Sequence, residues 1–347
     1  MTEQTSQFPW PGGTATGIGS MPGTTPAEAC RVVFGELPDL PHLAELPARG
    51  PGADLTGRTA ALLIDLPVQT TLRGWKLADR PGGDLARAAS YWSEDLDALE
   101  ETADGYRGPL KIQLCGPWTL AATLELSRSL NPALADPSAV ADLAASLAEG
   151  LANHAADVRK RIPGATLIVQ LDEPALPAAL AGRVPTASGL NVVGAVDQAV
   201  AIQRLQTVLS AAGAFTVVHC CHQDAPFPLI KTAGASAVSF DLAAVRTADI
   251  DLVAELAEAG LALFVGALPT SSAQRLVSGL PLAPRQTAEQ VVTLWRRTGQ
   301  PAGQLAEQVV ITPACGLAGV SPVAARAALA HCREAARIAP ELIEESG

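Results

Sequence analysis

Four consecutive side chains able to bind a metal, His219-Cys-Cys-His222, stand at the end of an apolar run, residues 214–218, and the chain breaks just after them at Asp224-Ala-Pro-Phe-Pro228. A short β-branched run closed by a proline-rich turn predicts a buried strand. Side chains alternate faces along a strand, so His219 and Cys221 point one way and Cys220 and His222 the other. A His-x-Cys pair at a strand end can grip one Zn2+ through an imidazole nitrogen and a thiolate. The same spacing also suits a buried pair of cysteines beside a hydrogen-bonded histidine, and the rest of the chain has to decide between the two.

The elements that would position this pair alternate in type. Strand patterns fall at residues 14–20, 37–46, 110–115, 166–171, 214–219, 237–240, 261–265 and 308–311. Helical patterns fall at 24–34, 84–103, 118–127, 137–161, 196–212, 227–232, 249–260, 284–297 and 323–338. Thr24-Thr-Pro-Ala-Glu28 has a threonine cap, proline in the first turn and an early acid, which together open a helix. Short apolar strands in alternation with helices imply a parallel sheet covered by helices. About eight such units in one chain favour an α/β fold of the single (β/α)8 TIM-barrel type over an open doubly wound sheet. No Gly-x-Gly-x-x-Gly follows the first strand, which leaves a dinucleotide-binding fold little support. The domain reading is an N-terminal arm, residues 1–13, followed by one barrel, residues 14–347. The stretch 47–83, with Arg73, Trp75 and Lys76, reads as a hairpin or a surface loop.

Composition narrows the function classes. The 347 residues are 48% hydrophobic with six cysteines spread thinly along the chain, so a large core forms without a disulfide framework. A reducing cytoplasm, where thiols stay free to act as ligands, is the expected setting. The formal net charge of −11 argues against nucleic acid as a partner, since phosphate neutralisation needs basic residues. No apolar run long enough for a membrane span appears, and the N-terminus lacks a signal-peptide layout.

Polar interruptions recur at the C-terminal ends of the expected strands: Ile18-Gly-Ser20, Cys115-Gly-Pro117, Asp172-Glu-Pro174, His219-Cys-Cys-His222, Asp241 and Cys315. In a (β/α)8 barrel those ends meet at one mouth. His219, Cys221 and Cys315 would make an N,S,S ligand set there, with Asp241 able to add an oxygen, and an exchangeable position marks a catalytic zinc. Zinc among thiolates holds a substrate thiol deprotonated and nucleophilic. Asp172 can hold a substrate ammonium, and the tight Ile18–Ser20 turn can offer N–H groups to a carboxylate. Thiol, amine and carboxylate together describe a thiol amino acid.

With these residues in view, the chain resembles the C-terminal catalytic barrel of cobalamin-independent methionine synthase, in the superfamily that also contains uroporphyrinogen decarboxylase. The resemblance rests on Ile18-Gly-Ser20, Gly116-Pro117, Gln170-Leu-Asp-Glu-Pro-Ala-Leu176, the His219/Cys221 pair and Pro313-Ala-Cys-Gly-Leu317, which span almost the whole chain in order. It implies that His219, Cys221 and Cys315 bind zinc, that Asp172 holds the homocysteine amino group, and that Ile18 and Ser20 contact the amino acid. Glu45 falls where the family places a second amine-binding glutamate; an exposed loop acid is the alternative.

Departures from the family pattern cluster on one side. Asp241 stands for the family's glutamate ligand, Gly266-Ala-Leu-Pro-Thr270 contains no histidine, Ala122 and Thr123 replace a pterin-stacking aromatic, and Pro177-Ala-Ala replaces an acid. The family's large N-terminal barrel has no counterpart in the sequence. The expectation is a zinc-dependent methyltransferase acting on homocysteine or a similar thiol. Its donor would be something other than folate polyglutamate, such as a methylated corrinoid protein or a small methyl compound. Rival readings are a decarboxylase-like or corrinoid-linked enzyme on the same barrel, and a non-catalytic zinc-binding barrel.

Overall fold

In a computed structural model, which describes residues 7–270 and 283–345, the expected alternation is present. The strands are β1 (Val68–Thr71), β2 (Gly74–Leu77), β3 (Gly108–Cys115), β4 (Leu124–Glu125), β5 (Ala165–Asp172), β6 (Phe215–His219), β7 (Ala237–Asp241), β8 (Ala262–Leu268) and β9 (Val309–Pro313). The longer helices are α1 (Pro26–Glu36), then, after the short α2 (Leu55–Ala60), α3 (Gly83–Thr102). α4 (Pro117–Thr123), α5 (Pro137–Arg161), α6 (Leu176–Leu180) and α7 (Gln198–Ala211) follow, then α8 (Phe227–Thr232), α9 (Ile250–Glu258), α10 (Pro284–Arg297), α11 (Leu305–Gln308) and α12 (Pro322–Glu345). Proline occupies the first turn of α1, α4, α5 and α10, where its missing N–H costs nothing. Asp136 and Asp197 cap α5 and α7 through their side-chain oxygens.

Strands β3-β5-β6-β7-β8-β9 form one all-parallel, curled sheet in that order. The two remaining expected strands, 14–20 and 37–46, are not regular. They make isolated parallel bridges instead: Ala15 with Ile311 on β9, His42 with Lys111 on β3, and Ser20 with Glu45 between the two segments. Pro41 lacks an N–H to donate, and Gly17 lies so close to the His42 ring that any side chain there would collide with it. Both features keep these segments from extending a ladder. Of the eight strands expected, six form the regular sheet and two segments make only isolated bridges. The 47–83 stretch is the hairpin β1–β2, joined in parallel to β4, and Trp75 on it is buried rather than part of an open loop.

The two faces of the curled sheet bury different things. Leu167, Val169, Val218, Val238, Leu263 and Ile311 pack into the large core shared with the helices. Ile168, Val217, Ala237, Ala262, Phe264 and Val310, one residue out of phase, enclose a separate apolar cluster with Leu40, Phe8 and Trp10. Trp10 sits edge-on to Phe215 and Phe264 at ring distances of 5.0 and 5.3 Å and donates from Nε1 to the Glu307 carbonyl at 3.0 Å. The described part of the expected arm is thus a plug rather than a polar cover. Trp10→Ala is expected to lower unfolding stability by roughly 3–5 kcal/mol, as for other buried tryptophan truncations. Urea titration followed by circular dichroism checks this, and a change under 1 kcal/mol would mean that Trp10 closes nothing.

Candidate active site

At the opposite end of the sheet from Trp10, backbone register sets the site residues side by side. Cys115 on β3 pairs with Asp172 on β5, Asp172 with His219 on β6, and His219 with Ser239 on β7. Beyond the strand ends, Cys221 and Cys315 arrive on the loops after β6 and β9, and the metal-competent atoms of His219, Cys221 and Cys315 all lie within 4.8 Å of one another. The Cys221 thiol donates to Cys315 Sγ at 3.8 Å. That hydrogen bond, together with the nearby His219, holds Cys315 well below the usual thiol range, while Cys221, which keeps the shared proton in part-buried surroundings, is pushed up.

His219 is buried, and its Nδ1 is taken by the Ser239 hydroxyl at 2.9 Å. Its Nε2 is buried too, with no hydrogen-bond partner. A buried ring nitrogen left unpaired is costly unless something binds it, and a hydrogen bond on the other nitrogen is how metal-binding imidazoles are oriented. The donor set therefore fits a soft or borderline divalent ion such as zinc, bound by one nitrogen and two sulfurs.

A cavity of about 200 Å3 opens beside these three residues and also touches Ser20, Glu45 and Asp172. Asp172 Oδ1 accepts from Gln170 Nε2 at 2.7 Å. Burial pushes Asp172 up to about 7 and raises Glu45 as well. Glu45 Oε1 has no hydrogen-bond partner; Arg58 Nε approaches it at 3.8 Å. Arg58 is itself held from behind, by Asp95 at 2.5 Å and by the face of Trp92 at 3.5 Å. Two buried carboxylates short of donors, on one small cavity, form a site for a cation. The Ile18–Ser20 turn, which lines the same cavity, is fixed beside Glu45 by main-chain bonds: Glu45 N–H to the Gly19 carbonyl at 3.1 Å and Met21 N–H to the Glu45 carbonyl at 2.8 Å. Gly316, beside Cys315, leaves room for the Ser20 side chain that any Cβ there would strike.

Other residues singled out in the sequence stay apart from this cluster. Asp241 ends β7 on the same rim, yet its carboxylate is not among the converging atoms, and Oδ1 accepts from Ala243 N–H at 2.9 Å. Cys220 is buried with its thiol pushed up to about 12, and His222 is turned to solvent beside Asp224, as alternation predicts. Glu173 anchors a helix: its carboxylate accepts from Trp118 N–H at 2.9 Å, and from the N–H and hydroxyl of Thr119 at 2.7 and 2.8 Å. Sequence reasoning missed Ser239, Arg58 and Lys111. The signal for Lys111 and Gln113 was available, as two polar residues two apart in an otherwise apolar strand must share a face.

Comparison with known proteins follows the same direction. The sequence profile of the family described as cobalamin-independent synthase, catalytic domain, matches residues 13–338. Among solved structures, a B12-independent methionine synthase from Shewanella sp. W3-18-1, in complex with selenomethionine, is similar with a TM-score of 0.50 and 17% identity. That likeness covers 74% of this chain and 67% of the other, and at this identity it speaks to the fold alone. An uncharacterized protein is similar over 57% of this chain and 48% of its own at 15% identity, with a TM-score of 0.27, too slight to carry any argument. No curated protein sequence matches.

The Ser239 hydroxyl yields a direct expectation. Ser239→Ala should leave the fold intact while weakening zinc binding roughly 10- to 100-fold, the usual effect of removing a partner that orients a ligand. Competition against a chromophoric chelator measures it, and unchanged affinity would show that Ser239 does not orient His219.

Proposed function

Because this chain belongs to the cobalamin-independent synthase catalytic-domain family and is a methyltransferase of that family, we propose that it methylates the sulfur of homocysteine, with zinc held by His219, Cys221 and Cys315. The observation that carries the reading is the free, buried Nε2 of His219 facing two thiols, on a cavity that also holds two donor-poor carboxylates. When bound, the ion would lower the pKa of a substrate thiol and keep it nucleophilic.

The protein's own groups do the rest. Asp172 and Glu45 take the substrate ammonium, whose positive charge favours the ionised carboxylates that burial otherwise disfavours. The Ile18–Ser20 turn receives the carboxylate end. Fixing both ends of the amino acid leaves the sulfur in one place, which converts methyl transfer into a reaction between positioned partners. We assign Asp172 a binding and orienting role in catalysis. Asp241 stays in the proposal as an oxygen ligand for the thiol-free state, which Asp241→Asn would reveal as weakened zinc binding in the absence of homocysteine.

The finer architecture belongs to the same reading. The bridges from Ala15 to Ile311 and from His42 to Lys111 support an eight-membered closed (β/α)8 barrel over residues 14–347, with the N-terminal arm at its base. Ala122 and Thr123, where the family's stacking aromatic would lie, favour a methyl donor other than folate polyglutamate, either a methylated corrinoid protein or a small methyl compound. No helix among the described residues is long and apolar enough to cross a membrane, and the free cysteines suit the cytoplasm we propose for it.

Elemental analysis of purified protein is expected to give about one zinc per chain. Zinc K-edge absorption should then gain one sulfur in the metal's shell on adding homocysteine. Cys315→Ser should lose most of the zinc without losing the fold. No zinc after reconstitution would sink the reading, and zinc whose shell ignores homocysteine would favour a non-catalytic metal site.

A further inference from the structure

Beneath the cavity lies a charged side chain that the proposed chemistry does not use. Lys111, on β3, is wholly buried. Its Nζ donates to the Ile18 carbonyl at 2.8 Å, to Gln170 Oε1 at 2.8 Å and to Gln113 Oε1 at 3.5 Å. All three acceptors are neutral dipoles, so the ammonium is satisfied without touching a carboxylate.

That arrangement has a directional effect. A lysine ammonium can only donate, whereas an amide accepts at one end and donates from the other. Whichever end of each glutamine faces Lys111 must be the oxygen, and the N–H ends are forced to point away from it. Gln170 accordingly donates to the Ile18 carbonyl at 2.9 Å and to Asp172 Oδ1 at 2.7 Å. Gln113 donates to the Leu43 carbonyl at 2.6 Å, two residues before Glu45 on the same segment. One cation thus sets the polarity of two relays: one ends on the Asp172 carboxylate, the other on the main chain that leads to Glu45. A lysine in direct contact with Asp172 would occupy an oxygen that the substrate needs. Acting through an amide, it leaves Asp172 Oδ2 unclaimed by either glutamine.

We propose that Lys111 is the positioning residue that orients the Asp172 carboxylate through Gln170 and the segment bearing Glu45 through Gln113, and thereby sets a preference for thiols that carry an amino group. This rests on the amino-thiol reading above.

The test compares homocysteine with 4-mercaptobutanoate, which keeps the thiol and carboxylate but has no amine, by calorimetric binding to the zinc-loaded protein. Any disturbance of the metal or of the Ile18–Ser20 turn weakens both ligands alike, so their affinity ratio isolates the ammonium site. Wild type is expected to prefer homocysteine, and Lys111→Met to cut that preference roughly tenfold or more, with 4-mercaptobutanoate affinity and zinc content unchanged. An unchanged ratio, or equal weakening of both ligands, would overturn the proposal in favour of a merely structural lysine. Should Lys111→Met fail to fold, Gln113→Leu and Gln170→Leu decide instead: each cuts one relay and should lower the ratio, and an unaltered ratio in both rejects the idea. A wild type that shows no preference between the thiols overturns the amino-thiol reading itself, a result distinct from a wild-type preference that survives the substitutions.

Discussion

Backbone hydrogen bonds along one level of the parallel sheet hold Asp172, His219 and Ser239 abreast on three neighbouring strands. No side-chain packing could do this as strictly, because a slip of one residue would turn each of them to the helix side. The same ladder carries Gln170 beside Gln113 one step further in, so the supports beneath the site are registered with the site itself. Cys221 and Cys315 come from loops 94 residues apart in sequence. They meet because parallel strands deliver all their C-terminal ends to one rim.

The interior of the curled sheet is graded from apolar to charged. At its base Trp10, Phe264 and Val310 exclude water. Above them come amides and one ammonium, and at the rim carboxylates and thiols. Burial raises the pKa of both carboxylates and lowers that of Lys111. In such surroundings a dipole is effective only if it is fully engaged. The glutamines meet that requirement at both ends, whereas Arg58, held by Asp95 and the Trp92 face, keeps its Nε and Nη2 without a hydrogen-bond partner. Among the residues that line the cavity, His219 Nε2 and Glu45 Oε1 are left without a hydrogen-bond partner.

Much of this was legible in the residues. Strands β3 and β5 to β9 announce themselves as short apolar runs, and their polar endings mark the rim, which is why His219, Cys221, Cys315 and Asp172 could be named from spacing and resemblance together. The segments 14–20 and 37–46 were harder. Their side chains alternate suitably, but glycine at 17 and 19 and proline at 41 restrict what their backbones can pair with, and no pattern of hydrophobicity reports that. The role of Glu173 is not legible in the sequence, because two of its three donors are main-chain N–H groups of α4, which have no signature in side-chain identity. Asp241 fits the family's ligand position by order along the chain, yet its Oδ1 is bonded to its own following turn and its carboxylate is not among the converging atoms. Arg58 and Asp95 form a pair 37 residues apart, visible only after folding.

Trp10 also has a bearing on how the chain comes to be folded. Apart from its neighbour Phe8, its partners are Phe215, Phe264 and the Glu307 carbonyl, so during synthesis the indole emerges long before the groups that cover it, the last of them 297 residues later. Contacts of such sequence separation are slow to form, because the closure entropy of the long intervening loop opposes them. The seal at the base is consequently among the last contacts completed, and a nascent chain arrested before residue 264 exposes an aromatic cluster suited to chaperone binding. The plug that keeps water out of the finished molecule is, until then, a marker that it is unfinished.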